Sequence, residues 1–119
     1  MNLFITETNN EIQRFIESMK NDLITLNMIL KELQIIKKTK DEQYKANKSN
    51  MYNTIRNLQT YDAQYSIYFV KSNLEQQQLL AYLEEINRLI ELYENKISLQ
   101  EIYINNEERK LKRKNETSN

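Results

Sequence analysis

From Ile12 the apolar residues run Ile12, Ile16, Met19, Leu23, Leu26, Leu30 and Leu33, in alternating steps of four and three. That is the seam of a coiled coil, in which each knob meets a facing helix, and it predicts a long first helix. A second row, Phe15, Ile24, Met28, Ile29, Ile35 and Ile36, widens the apolar stripe toward the C-terminal end of this helix. A second seam runs Leu79, Leu83, Ile86, Ile90, Tyr93 and Ile97, and continues through Gln100, Ile104, Glu107 and Leu111. It predicts a second long helix. Thr8 with Glu11, and Ser72 with Glu75, have the capping-box spacing, so the helices are expected over about 8–46 and 72–112. If Leu33 faces Leu79, antiparallel pairing sets Ile12 opposite Gln100 and Leu3 near Arg109. Gln100 and Glu107 in the seam suggest that the pairing weakens there.

Between the two seams the heptad stops. Lys37 takes a seam position, and a polar, mostly basic connector runs to Asn50; Met51, Ile55 and Leu58 then allow a short helical turn over about 51–58. Tyr65-Ser66-Ile67-Tyr68-Phe69-Val70 is dense in β-branched and aromatic residues and sits on no helical stripe. It predicts a β-element over about 59–71, a short hairpin. One two-stranded hairpin is marginal in water and exposes its edges, so strands from other chains are expected to complete a sheet. The expected fold is mainly α: a long antiparallel two-helix coiled-coil hairpin, a short β-hairpin between the helices, and a polar tail over 113–119, all in a single domain spanning 1–119.

Composition narrows the chemistry. The 119 residues include no Gly, Pro, Cys or His. Without breakers, long helices are unopposed. Without glycine the phosphate-cradling loops of nucleotide enzymes cannot be written. Without His or Cys the usual bases, thiol nucleophiles and most zinc sites are gone. No enzyme, cofactor or metal is expected. Glu84, Glu85, Glu91 and Glu94 read as a solvated face, because acid/base work needs carboxylates that converge in a pocket. Seventeen basic residues balance seventeen acidic ones, which gives no field to draw nucleic acid or a membrane surface. The basic run Arg109 to Lys114 reads as a complement to the helix dipole plus a solubilising tail. The apolar runs are far shorter than a membrane span, and the absence of cysteine fits a reducing compartment, so a cytoplasmic protein is expected.

The order helix, strands, helix resembles the β-class of prefoldin subunits, the subunit 1 family of the eukaryotic complex most closely. Tyr61 and Ser72 coincide with a Tyr and a Ser of that family's pattern at identical spacing, and Ile67, Tyr68, Phe69 and Val70 are similar to its Met-Phe-Ile-Leu. Leu33 with Lys37-Lys38 is similar to the Leu and paired Lys that close its first helix. Tyr65 and Ser66 stand where the family has Gly-Arg. The resemblance implies a hexamer of two α-class and four β-class subunits, in which Tyr61, Tyr65, Ile67, Tyr68, Phe69 and Val70 join an intersubunit β-platform. It further implies that unfolded clients such as actin and tubulin are held at the coiled-coil tips, without nucleotide, and passed to the cytosolic chaperonin. The residues placed at those tips are Leu3, Phe4, Ile5, Phe15, Ile102, Tyr103 and Ile104. The rival reading is a coiled-coil scaffold or tether, including a fusion-type bundle with a buried Gln layer at Gln100; it leaves Tyr65 to Val70 unexplained.

Overall fold

A computed structural model describes the backbone of residues 3–57 and 63–117, and the side chains of 8–53 and 67–115. The described chain is two helices: α1, Leu3–Asn57, and α2, Ala63–Thr117. Both run straight through the expected caps. Thr8 and Ser72 lie inside helices, α1 continues through the lysine-rich connector, and α2 continues past Lys112. A capping box marks a start only where something upstream stops the helix, and a chain without Gly or Pro supplies no stop.

The largest correction concerns the β-element. Residues 63–71 form the first turns of α2, not strands, and no strand occurs among the described residues. Tyr61 lies outside the described residues, and Tyr65 is described only in its backbone. A single chain cannot complete the sheet that a lone hairpin needs, whereas a helix satisfies each peptide group locally and extends at one hydrogen bond per residue fixed. The heptad phase also runs on. Phe69, Ser72, Gln76 and Leu79 keep the three-four spacing of the downstream seam, with polar residues that an apolar-only reading passes over.

Polar residues in the helix interiors settle their side chains on the preceding turn. Thr25 and Thr39 hydroxyls donate to the carbonyls of Asn21 and Ile35, and the Asn27 amide donates to that of Leu23 at 3.0 Å. Such bonds satisfy these side chains within the helix, at a slight cost to it.

The chain divides into two compact units. Met1–Lys31 with Glu91–Asn119 forms a terminal unit, and Glu32–Ile90 forms a central unit. In the terminal unit the α1 and α2 segments run antiparallel around a core of Ile16, Met19 and Ile104, with Ile12, Leu23 and Leu111 packed against it. Ile16 is the most enclosed residue, at 1% exposure, and Ile97 is buried in the same unit. In the central unit the segments are again antiparallel, with Met51, Leu83 and Ile86 buried.

The register differs from that expected. Gln100 faces Met19, not Ile12. The slip is one heptad, which returns every seam residue to the seam and changes only its partner.

Candidate interaction surfaces

In the terminal unit the residues at the partner-facing positions are mostly apolar, and Gln100, polar among them, is satisfied. Gln100 Nε2 donates to the Met19 carbonyl at 3.1 Å, across the pair. That carbonyl keeps a second lone pair for its own helix. Gln100 is therefore a tie between the helices and not the point of weakening that its polarity suggests. Lys20 Nζ and Glu108 Oε1 add an ion pair of 2.8 Å on one side of the unit.

Phe15 and Tyr103 each precede a core residue, Ile16 and Ile104, by one position. In an antiparallel pair, equivalent positions of the two helices lie on the same side, so Phe15 and Tyr103 share a side. Both are exposed, Tyr103 at 61%, and Ile102 projects beside it, also exposed. Ile104 is different: at 5% exposure it closes the core and offers no surface to a client. Leu3, Phe4 and Ile5 are helical in backbone, and their side chains lie outside the described residues. Of the seven tip residues, the structure therefore sets Phe15, Ile102 and Tyr103 at the surface of one unit.

The central unit has an inverted pattern. Its α1 seam reads Lys37, Lys40, Tyr44, Asn47 and Met51, of which only Met51 is fully buried. On α2 the seam residues Ser72 and Gln76 are polar, and the seam becomes apolar only from Leu79, with Leu83 and Ile86 buried. Meanwhile large apolar side chains stay exposed: Tyr52, Ile67, Tyr68, Val70 and Leu74 off the seam, Ile67 at 70%, and Phe69 at its end. Polar seam residues reach settled arrangements of their own. Asn47 Nδ2 donates to the Ser72 carbonyl at 3.1 Å, and Lys40 Nζ lies 5.2 Å from the Tyr82 ring centre while donating to Gln43 Oε1 at 3.3 Å.

Beside them Lys40, Gln43, Glu75, Gln78, Leu79 and Tyr82 line an open hollow of about 380 Å³. Its lining is one carboxylate, one ammonium, two amides, a phenol and a leucine. Glu84, Glu85, Glu91 and Glu94 are exposed, as a solvated face requires. Among the described residues no cluster of three or more acidic, His or Cys side chains could hold a metal, and no helix is long and apolar enough to cross a membrane. The sequence reading missed the inversion in the central unit, for which the signal was present: the polar residues at 37, 40, 44, 47, 72 and 76 keep strict heptad phase.

No protein-family model, no curated protein and no solved structure matches this chain.

Proposed function

We propose that this chain is a cytosolic subunit of a hexameric, nucleotide-independent co-chaperone of the prefoldin type, a β-class subunit closest to subunit 1. It joins α- and β-class companions through the outward residues of the central unit. It holds unfolded clients of the actin and tubulin kind on exposed apolar residues of the terminal unit, for delivery to the cytosolic chaperonin.

One observation supports this reading above the others: Ile67, Tyr68, Phe69 and Val70 are four consecutive large apolar residues, all exposed. At 3.6 residues per turn, four successive side chains sweep most of the way round a helix, so a single facing helix cannot cover them. Cover has to come from several sides, which suits a subunit enclosed by other chains. The spacing of Tyr61 and Ser72 around this quartet favours the same family. The proposal rests on these surfaces and does not invoke strands at 63–71.

The test is affinity purification of the tagged full chain from native lysate, with companions identified by mass spectrometry, followed by aggregation of denatured actin without ATP. Co-purification of five small coiled-coil subunits of two classes, together with suppressed aggregation, is the expected result. Recovery of the chain alone, or with no effect on aggregation, overturns the reading. A second reading, a coiled-coil tether or scaffold, is favoured by one observation: α1 and α2 are each unbroken helix over 55 residues. It predicts stable companions of other kinds and no protection of actin.

A further inference from the structure

Ser72 is the one buried polar residue among those described, at 5% exposure, although its sequence context marks it as a helix cap. Its backbone carbonyl accepts a hydrogen bond from Asn47 Nδ2 at 3.1 Å in a part-buried setting. A carbonyl inside a helix already serves its own ladder but keeps a second lone pair; the long Gln100 amide reaches that of Met19, whereas the shorter Asn47 amide reaches that of Ser72, past a small side chain.

On the α2 seam of the central unit the residues are Phe69, Ser72, Gln76, Leu79, Leu83, Ile86 and Ile90, so Ser72 is the single small one. On the facing α1 seam from Leu33 to Met51, Asn47 is the single short amide; its seam neighbours are Lys37, Lys40 and Tyr44. One short donor and one small slot meet in one register only. The rest of the seam does not discriminate, because a slide of one heptad exchanges seam residues for seam residues. The apolar positions alone in fact suggest that slid register, with Leu33 against Leu79. In it Asn47 would lie opposite Tyr65, its amide shut off from any backbone acceptor.

We propose that Asn47 and Ser72 form a register key for the central unit, acting through the Ser72 carbonyl and the smallness of its side chain, with the hydroxyl playing no part. The key positions a surface. Tyr52 and Val70 each follow a seam position, Met51 and Phe69, by one residue, so the observed register sets them on the same side of the pair. A slide of one heptad would carry them about 10 Å apart along the axis. The effect of that displacement on subunit assembly rests on the proposed function; the key itself does not.

The chain has no cysteine, so introduced pairs report register without background. Tyr44→Cys with Gln76→Cys reads the observed register, and Tyr44→Cys with Phe69→Cys reads the slid one, both oxidised in the full chain alone and resolved by gel mobility. The first pair is expected to cross-link and the second to remain almost wholly reduced. Adding Asn47→Leu, which leaves no amide to strand in the slid register, or Ser72→Leu, which strands the Asn47 amide in the observed one, is expected to raise the slid cross-link about tenfold. Ser72→Ala, which keeps both carbonyl and slot, is expected to leave the parent pattern unchanged. A parent pattern that persists with Asn47→Leu overturns the key, as does a Ser72→Ala chain that slides as readily as Ser72→Leu. Companion capture is scored separately: a parent chain that keys correctly yet recruits no co-chaperone subunits removes the proposed function and leaves the key standing.

Discussion

The terminal and central units use the same two helices in the same antiparallel arrangement, and each carries one side-chain amide that donates across the pair to a backbone carbonyl. What lies around that bond differs. In the terminal unit Gln100 is set among Ile16, Met19, Ile97 and Ile104, and exposed apolar residues such as Phe15 and Tyr103 flank a full core. In the central unit Asn47 is set among Tyr44, Ser72 and Gln76, and the large apolar residues of that stretch, Tyr52 and Ile67 to Val70, are exposed. Helical pairing can thus persist on geometry and polar ties where the seam offers little to bury, because no breaker in the sequence interrupts either helix. The apolar surface left outside then becomes the chemistry available for other chains.

The largest expected effect tests whether the terminal unit carries the stability. Ile16→Ala removes a fully enclosed side chain and should cost about 3 kcal/mol, within the span seen for Ile to Ala in cores. Tyr44→Ala, at a half-buried seam position of the central unit, should cost less than half of that. Urea melts followed by circular dichroism check both. Amide exchange should show the same division, with residues 12–30 and 97–111 protected at least tenfold more than 40–53 and 67–76. Equal costs and equal protection would erase the distinction between the units.

A second measurement concerns what the outward residues of the terminal unit do. Phe15→Ser, Ile102→Ser and Tyr103→Ser together should leave the thermal melt of the chain nearly unchanged, since all three are exposed. On the proposed function, suppression of actin aggregation should fall several-fold, because each side chain that a client fully buries contributes up to roughly 1.5 to 3 kcal/mol. A triple variant that assembles and protects as well as the parent would show that clients are not held on this face.

Much of the architecture was legible. The seams Ile12 to Leu33 and Leu79 to Ile104 announce two long helices, because apolar burial repeats with the helical period. The seam residues of the terminal unit were legible too, Ile104 included, although a guess at function also set it among the tip residues. Three things were not. The register was ambiguous, because a strict heptad looks alike to itself after seven residues. The helical state of 63–71 was hidden by side chains that favour strands: local propensity said β, while a single chain offers that segment no second edge to pair with. The polar seam was masked because Lys37, Lys40, Asn47, Ser72 and Gln76 carry the period without carrying the hydrophobicity by which it is usually found. For the candidate surfaces, exposure separated Tyr103 from its neighbour Ile104, a distinction that depends on which helix faces which.

Gln100→Leu sharpens the contrast from the other side. The substitution gives up a cross-helix hydrogen bond worth about 1 kcal/mol and gains leucine burial worth roughly 1.5 to 3 kcal/mol when complete, so a net stabilisation of about 1 kcal/mol is expected in the terminal unit. A rise in the urea midpoint with unchanged slope would show that the amide is retained there at a cost in stability. A loss would mean that the bond outweighs the burial.

The smallest effects come from the two lysines that tie the helices from outside the cores, and they differ in kind. Lys40 lies over the Tyr82 ring in the central unit, and Lys20 pairs with Glu108 in the terminal unit. Lys40→Ala removes a cation–π contact at a partly exposed site, about 0.5 to 1 kcal/mol. Lys20→Ala removes an ion pair whose partners are each about half exposed, so despite its 2.8 Å length it should be worth roughly 0.5 kcal/mol or less. Alanine's higher helix propensity, a few tenths of a kcal/mol over lysine, offsets part of each loss, and for Lys20 it offsets most of it. Salt separates the two. At 1 M ionic strength the Debye length contracts to about 3 Å, so the cost of Lys20→Ala should vanish or change sign. The cost of Lys40→Ala should largely remain, because that lysine is half-buried and its ammonium sits over a ring that covers it from one side. If both losses vanish together in salt, the Lys40 contact is no more than an ordinary surface charge, and the central unit loses one of the two polar ties along its seam.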